Sequence, residues 1–252
     1  MEGKGSCMVK VIGLALLSTA TFCAQDKGAR TGLRGGMPRD PKVALSRFSA
    51  VDQVPSADRD GSFWKNAPNV IATRSSLGQV MPGHRTEIRS RWTSKNLYFL
   101  FVCPYEQLHL NPNPSRNRET NHLWDWDVAE VFIGSDYQNT HRYKEFEISP
   151  QEEWLDLDID ADHRSPERDS LWNSGFLVKA RIDPEHKIWY GEMVIPIMAV
   201  DSRSPEPGRE MRINFYRAQG PPGPEHVSIA WQPTHSAIYH VPEVFGTLRL
   251  VK

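Results

Sequence analysis

The chain has 252 residues, of which 39% are hydrophobic and 10% aromatic, and its formal net charge is −1. This content suffices for one sizeable hydrophobic core. Basic and acidic residues nearly balance, 30 against 31, and this balance argues against a nucleic-acid partner or an anionic membrane surface.

The amino-terminal segment has the pattern of a secretory signal. Two lysines precede an apolar run from Val11 to about Ala24, which is too short to span a bilayer comfortably. We therefore expect residues 1–24 to be a signal peptide and the protein to be secreted or periplasmic. Lipid attachment at Cys23 is the less favoured alternative, because Phe22 is a poor residue immediately before a lipidated cysteine.

A polar leader and one folded domain are expected to follow. Residues 25–41 are rich in Gly, Arg and Lys and lack apolar periodicity, so we expect them to be flexible. The domain is expected to span residues 42–252. Cys103 is the one cysteine in that range, which excludes a disulfide framework. It ends the apolar run LYFLFVC, so we predict a buried small hydrophobe rather than a nucleophile.

Short apolar or alternating runs separated by turn residues fill the domain. Strands are predicted at residues 88–92, 97–102, 128–133, 144–148, 154–162, 176–182, 189–195, 211–218, 227–231 and 245–251. No helical stripe exceeds about two turns. The pattern predicts an all-β protein, an antiparallel β-sandwich of jelly-roll type. Long loops are expected at residues 103–121, 201–209, 219–225 and 233–243, and such loops often carry function.

The stretch WLDLDIDAD, residues 154–162, places a carboxylate at every second position. This period predicts a half-buried strand whose acidic side faces solvent. The alternative is a metal site with Asp156, Asp158 and Asp160 as ligands. Ala161 stands where a calcium loop of the EF-hand type requires Gly, which weighs against that type of site.

The segment HLWDWDVAEVFIG, residues 122–134, places a charge within an apolar face. In an extended chain Glu130 shares its side with Trp124 and Phe132. A buried carboxylate without a partner costs several kcal/mol. Glu130 therefore either pairs with an arginine, such as Arg217 or Arg142, or accepts hydrogen bonds from the hydroxyl groups of a ligand.

A sugar site would combine such a carboxylate with flat aromatic rings. A pyranose has faces of C–H groups and a rim of hydroxyls, which suit an indole ring and polar side chains respectively. Trp231 lies beside an amide at the start of a loop. We predict that Trp124 and Trp231 face each other across a gap one saccharide thick. For the other tryptophans singled out we predict core packing; they are Trp64, Trp92, Trp154 and Trp189.

Several motifs together resemble carbohydrate-binding module family 9 and its close relatives. They are DGSFWKNAP, LYFLFV, WDWDVAEVFIG, YKEFEISPQEEWLDLDID, WYGEMVIP, MRINFYRAQ, AWQP and HVPEVFGTLRL, and they occur in the family's order from about Val54 onwards. The resemblance implies a β-sandwich related to DOMON domains, which binds terminal sugars of glycans between two tryptophans near an acidic residue. Trp124, Glu130 and Trp231 match those positions.

The resemblance also implies further features of the site. From their location alone, three residues are predicted to lie at the polar rim of the sugar site: Arg142, Asn214 and Gln232. Members can hold structural calcium, which supports the metal alternative for the aspartate run, whereas no cofactor is required. The module is usually joined to a xylanase, and this chain leaves no room for a catalytic domain.

We therefore expect a secreted, monomeric, non-catalytic module that recognises terminal sugars of xylan- or glucan-type glycans in carbohydrate catabolism. One alternative is a small glycoside hydrolase or lyase that uses Glu130 and Glu147. The other is a haem-binding DOMON-like electron-transfer domain, although Met193 and Met198 are better explained as core residues.

Overall fold

The computed structural model describes residues 42–252. The predicted signal peptide, the leader and lipid attachment at Cys23 lie outside the described residues. The strands are β1 (Val43–Phe48), β2 (Asn69–Ala72), β3 (Arg74–Ser75), β4 (Thr86–Trp92), β5 (Asn96–Pro104), β6 (Val128–Gly134), β7 (Arg142–Ile148), β8 (Trp154–Asp160), β9 (Leu177–Asp183), β10 (Ile188–Pro196), β11 (Glu210–Gln219), β12 (Val227–Ala230) and β13 (Gly246–Val251).

Helical structure in the described residues is confined to single turns. Two are α-helical, α1 (Pro166–Asp169) and α2 (Ile197–Val200), and three are 3-10 turns at Ser62–Trp64, Leu123–Asp125 and Pro242–Val244. None of these elements has the length and hydropathy of a membrane-spanning helix. The predicted all-β class is confirmed, whereas the relation to DOMON domains stays a prediction.

The strands hydrogen-bond in the order β8-β7-β6-β11-β13-β1-β4-β5-β10-β9. Beside this path, β12 pairs with β11 and β3, and β2 pairs with β4. Strand β1 runs parallel to both of its neighbours, β13 and β4. The predicted β-sandwich is confirmed; its pairings are antiparallel except for those of β1, which make the sheet mixed. The sequence did not predict β1 because its outer end is exposed and its pattern, VALSRF, is short.

The main core lies between the two halves of this folded sheet. Phe99 from β5 packs edge-on against Phe215 from β11, with 5.4 Å between ring centroids. Strand β5 is buried on both sides, as predicted. Its odd-numbered residues face this core, whereas Tyr98 and Leu100 face a second cluster that includes Ala57 and Trp64. We call the side of β5 and β10 that carries this second cluster the covered face.

The outer side of β6, β7, β8 and β11 carries a third hydrophobic cluster, the outer cluster. Ala129 and Val131 point into the main core, while Val128 and Phe132 belong to the outer cluster, so the predicted alternation of β6 is confirmed. Leu123 covers one end of this cluster and is fully buried. We call this side the cavity face.

Most of the tryptophans predicted to be structural are buried in clusters. Trp64, Trp92 and Trp189 are 1%, 3% and 0% exposed, and Trp154 packs against the main core while partly exposed. Cys103 is also fully buried, and burial raises the pKa of its thiol to about 12. The prediction that Cys103 is an inert core residue agrees with this environment.

The predicted solvent-facing acidic side of β8 is only partly correct. Asp156 is 1% exposed and accepts a hydrogen bond from the Ser174 backbone at 2.6 Å. Asp158 and Asp160 pair with Lys144 and Arg142, at 2.6 and 2.8 Å, because the register of β7 and β8 places these residues opposite each other.

The metal alternative for the same run does not fit the structure. The three aspartates are bound by a backbone amide, a lysine and an arginine rather than directed at one point. Among the described residues, no group of three or more His, Cys, Asp or Glu side chains is placed to hold a metal ion.

Candidate functional site

A cavity of about 350 Å³ opens on the cavity face. Its floor comes from β6 and β7, and its walls come from the turn before β6 and from loops that cross the sheet. The lining residues are Trp124, Glu130, Phe132, Glu145, Arg164, His226, Ala237, Ile238, Tyr239 and His240.

The turn before β6 presents Trp124 at the cavity. His122 adopts a left-handed conformation with φ 58°, and the backbone then folds into the 3-10 turn Leu123–Asp125. Because Leu123 is buried beneath this turn, Trp124 is left half-buried, with the His122 ring tilted against it at 4.8 Å. The expected extension of the strand alternation back to Trp124 is therefore wrong, although its predicted side is correct.

The loop between β12 and β13 is held onto the sheet by Tyr216. The hydroxyl of Tyr216 donates to the carbonyl of Tyr239 at 3.1 Å, and the two rings stack with 5.1 Å between centroids and 7° between planes. Tyr239 is thus fixed from below and supplies a second flat ring to the lining. Ile238, beside it, is 60% exposed at the mouth.

His240 is a neutral group in the cavity wall. Its ring stacks on Phe132 at 5.2 Å, and its Nδ1 lies 2.7 Å from the hydroxyl of Tyr143. Burial, helped by the charge of Arg164, lowers the pKa of His240 to about 3. Its Nε2 lies 3.9 Å from Glu145 Oε2, which is too long for a direct hydrogen bond, and the neutral ring forms no ion pair there. When Tyr143 donates to Nδ1, the ring keeps its proton on Nε2.

Three carboxyl groups gather on the floor. Glu130 and Glu147 are directly opposite each other in the register of β6 and β7, and Glu145 lies on the same side two residues earlier. Their exposed fractions are 1%, 0% and 3%. The β6–β7 register therefore concentrates acidic groups where the sheet is otherwise apolar.

Burial raises the pKa of every member of this cluster. The pKa values of Glu130 and Glu147 are raised well above the usual range, first by burial and then by repulsion from Glu145. Burial raises the pKa of Glu145 to about 7, and the neighbouring carboxyl group of Glu147 and the charge of Arg164 oppose that rise. Burial thus disfavours the ionised form at all three positions.

Among residues 42–252, no arginine pairs with Glu130. Arg142 is held by Asp160, and Arg217 faces the opposite side of the sheet, where it bonds to Thr86 and Gln219. Within the described residues, Glu130 Oε1 and Glu145 Oε2 have no hydrogen-bond partner. Of the two interpretations of Glu130 offered by the sequence, the arginine pair is wrong.

The predicted pairing of Trp124 with Trp231 is also corrected. Trp231 is 9% exposed and packs in the main core, 5.6 Å from Phe215, whereas Trp124 packs against the outer cluster. A Cβ at Gly246 would lie 2.6 Å from the Trp231 ring, so the backbone there closes over the indole. The physical reason is alternation, since Trp231 follows Ile229 by two residues and shares its inward direction.

The other predicted rim residues also lie outside the lining. Asn214 is fully buried, and its side chain bonds to the backbone N–H and C=O of Gln232 at 3.0 and 2.8 Å. It also donates to Tyr216 at 2.7 Å, so it supports the loop that carries Tyr239. Arg142 remains with Asp160. Of the six predicted site residues, the cavity gathers Trp124 and Glu130.

Sequence reasoning missed several lining residues, and some had a signal. Glu145 precedes Glu147 by two positions, so strand alternation puts both on one side. Tyr239 and His240 belong to the loop at residues 233–243, which the sequence marked as long. Arg164 had no comparable signal, because it lies in an irregular stretch after β8.

Comparisons with known proteins agree with this fold. The sequence profile of the family described as "Carbohydrate family 9 binding domain-like" matches residues 58–252. A relative called "Extracellular protein" from Arthroderma benhamiae is 22% identical over 194 residues, which cover 72% of this chain and 86% of the relative.

Solved structures of similar fold include carbohydrate-binding proteins. A carbohydrate-binding module of family 9 from Caldicellulosiruptor kristjanssonii, in complex with cellotriose, is 15% identical, with a TM-score of 0.59 over 83% of this chain and 94% of that one. Its complex with glucose gives a TM-score of 0.56 at 15% identity, over 82% and 95%. A carbohydrate-binding-protein candidate from Bacteroides uniformis gives 0.64 at 16% identity, over 83% and 99%.

Proposed function

Because the chain belongs to the carbohydrate family 9 binding domain-like family, we propose that its cavity binds the terminal sugar of a glucan- or xylan-type glycan. The observation that carries this proposal is the pair of buried carboxyl oxygens at Glu130 and Glu145, which line the cavity without a protein partner. Buried acceptors of this kind are costly unless a ligand satisfies them.

The lining matches the two surfaces of a pyranose. Trp124 and Tyr239 offer flat rings to the C–H faces of a sugar, which favour such contacts. Glu130 and Glu145 accept hydrogen bonds from ring hydroxyls, while Arg164 donates to hydroxyl oxygens. Rings and polar groups together fix both the position and the orientation of the sugar.

The dimensions support recognition of a chain end. A cavity of about 350 Å³, walled by the turn at Trp124 and by the loop at Tyr239, has room for a sugar unit rather than for a long segment of polysaccharide. Two stacked rings and a few hydrogen bonds correspond to a Kd between about 1 μM and 1 mM, or about 4 to 8 kcal/mol.

The two structures from Caldicellulosiruptor kristjanssonii that contain cellotriose and glucose support a glucan-type ligand. The relative named as an extracellular protein supports secretion, so we place the function outside the cytoplasm, in the uptake or breakdown of glycans by associated enzymes.

Binding without hydrolysis is the interpretation that the carboxyl pair supports. Hydrolysis by Glu130 and Glu147 needs one ionised and one protonated carboxyl in different surroundings. Burial raises the pKa of both well above the usual range, so their surroundings do not set one carboxyl apart as the acid and the other as the base. For the haem alternative, Met193 is fully buried in the core, as predicted, whereas Met198 is 67% exposed and not a core residue; neither lines the cavity.

Isothermal titration calorimetry of cello- and xylo-oligosaccharides tests the proposal. Tyr239→Ala should weaken binding at least about tenfold, because it removes one of the two rings. Tyr137→Ala is the matched control, since Tyr137 is 50% exposed and lies away from the cavity. Equal affinities of the wild type and Tyr239→Ala, or no binding to any glycan of an array, would overturn the proposal.

A further inference from the structure

We propose that the sugar bound in this cavity carries a protonated amine, as an unacetylated hexosamine does; this extension rests on the carbohydrate function proposed above. The feature behind it is an excess of buried acid at the site. Glu130, Glu145 and Glu147 occupy neighbouring positions on β6 and β7, and each is at most 3% exposed. A neutral pyranose needs acceptors for its hydroxyls, but it does not need this concentration of carboxyl groups.

The protein supplies little positive charge against this cluster. Arg164 is the one lysine or arginine in the lining, and it ion-pairs with the buried Asp169 at 3.0 Å. His240 faces Glu145 as a neutral ring, because its pKa is lowered to about 3. Within the described chain, neither Glu130 nor Glu147 has a cationic partner at ion-pair distance.

An ammonium group would satisfy the acceptors that remain. It has three N–H donors, whereas a sugar hydroxyl has one. Glu130 Oε1 and Glu145 Oε2 are both in the lining and lack a protein partner. Hydrogen bonds between a cation and a carboxylate are roughly twice as strong as those between neutral groups. A bound cation would also favour the ionised form of these carboxyls, which burial otherwise disfavours.

The aromatic part of the lining suits the same ligand. Trp124 and Tyr239 contribute aromatic rings to the same lining, and the faces of such rings attract a desolvated cation within about 6 Å of their centroids. Carboxylates and aromatic rings thus act together on a positive charge, while the ring carbons of the sugar still pack against the same aromatic surfaces.

Three β-1,4-linked disaccharides test this inference, those of glucose, glucosamine and N-acetylglucosamine, which differ at carbon 2 of each ring. Titration calorimetry of the wild-type protein at about pH 6.5, where an amine of this type is largely protonated, should give the glucosamine disaccharide at least about tenfold higher affinity than the glucose disaccharide. The N-acetylglucosamine disaccharide, which is neutral and bulkier, should bind more weakly than the glucosamine one.

Variants identify the groups that set this preference. Glu145→Gln and Glu130→Gln should each lower the ratio of glucosamine to glucose affinity at least about threefold, because each removes a carboxylate from the pair. Glu206→Gln is the matched control, since Glu206 is 67% exposed and pairs with Arg209 away from the cavity, and it should keep the wild-type ratio.

The outcomes separate this inference from the function on which it rests. If the glucose disaccharide binds as tightly as the glucosamine disaccharide, or more tightly, the amine preference is overturned while carbohydrate binding stands. If none of the three disaccharides nor any other glycan binds, the proposed function fails. A preference that Glu145→Gln and Glu130→Gln both leave unchanged would overturn the assignment to this carboxyl cluster.

Discussion

The two outer faces of the sheet each bury a glutamate, with different results. Glu192 on the covered face and Glu130 on the cavity face are both 1% exposed. Glu192 Oε2 accepts hydrogen bonds from the backbone N–H groups of Ser56 and Ala57, at 3.0 and 2.8 Å. Glu130 Oε1 has no partner within the described chain and borders the cavity.

The difference shows that burial of a charged residue does not by itself mark a binding site. On the covered face, the segment that contains Ser56 and Ala57 closes over the sheet and supplies donors to the carboxylate. Burial still raises the pKa of Glu192, but these hydrogen bonds oppose the rise. On the cavity face, the part of the chain that the structure describes supplies no donor to Glu130 Oε1, and the proposed ligand would provide one.

Substitution of Trp231, which lies in the core and not in the cavity lining, should have the largest effect on stability. Trp231→Ala should lower the free energy of unfolding by about 3–5 kcal/mol, because it leaves a large void in the main core. Chemical denaturation measures this loss, and the fraction that remains folded should bind sugar as the wild type does. Loss of sugar binding with unchanged stability would place Trp231 in the site and contradict its core position.

Removal of the glutamate on the covered face should act on stability alone. Glu192→Ala leaves the backbone N–H groups of Ser56 and Ala57 without their acceptor. The Ala57 N–H is buried, so the free energy of unfolding should fall by about 1–3 kcal/mol. Denaturation and sugar titration on the same preparation check this prediction. A fall in sugar affinity without a fall in stability would show that the two faces do not differ as described.

Substitution of Trp124 should weaken sugar binding more than stability, the reverse of what is expected for Trp231. Trp124→Ala should weaken sugar binding by about 1–3 kcal/mol, through loss of apolar contact with the pyranose. The free energy of unfolding should change by less than about 1 kcal/mol, because the side chain is half-exposed. Calorimetric titration gives the first value and thermal melting the second. Equal binding by the variant and the wild type would exclude Trp124 from the site.

The carboxyl cluster should make the free protein less stable as the pH rises. Folding raises the pKa of Glu145 from 4.5 to about 7 and raises those of Glu130 and Glu147 in the same direction. Between the unfolded-state and folded-state pKa values of these carboxyl groups, the folded state binds more protons than the unfolded state. The free energy of unfolding therefore falls with increasing pH. His240, whose pKa is lowered to about 3, acts in the opposite direction below its unfolded pKa of 6.5, but it is one group against three.

Denaturation between about pH 5 and pH 7.5 should therefore show a free energy of unfolding that decreases as the pH rises. Glu147→Gln, which cannot ionise, should weaken this dependence. Stability that rises across the same interval in the wild type, or a slope that Glu147→Gln does not change, would contradict the proposed protonation of the cluster.

Much of the sheet could be predicted from local pattern, because alternation decides which side of a strand each residue faces. It placed Glu130 on an apolar side and gave the burial of β5, and it could also have placed Glu145 on the same side as Glu147. Pattern could not give the β6–β7 register that sets Glu147 opposite Glu130, since register depends on partners distant in sequence. The parallel pairing of β1 was hidden for the same reason.

The loop residues of the site depended on tertiary contacts. Tyr239 reaches the cavity because Asn214 and Tyr216 bind the loop from the sheet beneath it. Nothing in the local sequence distinguishes Tyr239 from Trp231 as the ring that remains accessible. The sequence therefore favours Trp231, a tryptophan next to a loop, as the sugar-binding ring. Trp231 lies two residues after Ile229, so the alternation points it into the main core, where it is buried.

The role of Glu130 in ligand binding is tested most directly by Glu130→Gln, measured for both sugar affinity and the free energy of unfolding. The variant keeps the shape of the side chain and replaces one carboxyl oxygen, a hydrogen-bond acceptor, by an amide nitrogen that can only donate. We predict sugar affinity about 10- to 100-fold below that of the wild type, since hydrogen bonds to charged groups contribute about 1.5–3 kcal/mol, and a free energy of unfolding that is unchanged or slightly higher. Wild-type sugar affinity together with a loss of several kcal/mol in stability would show that Glu130, like Glu192, is a structural residue, and would contradict the account.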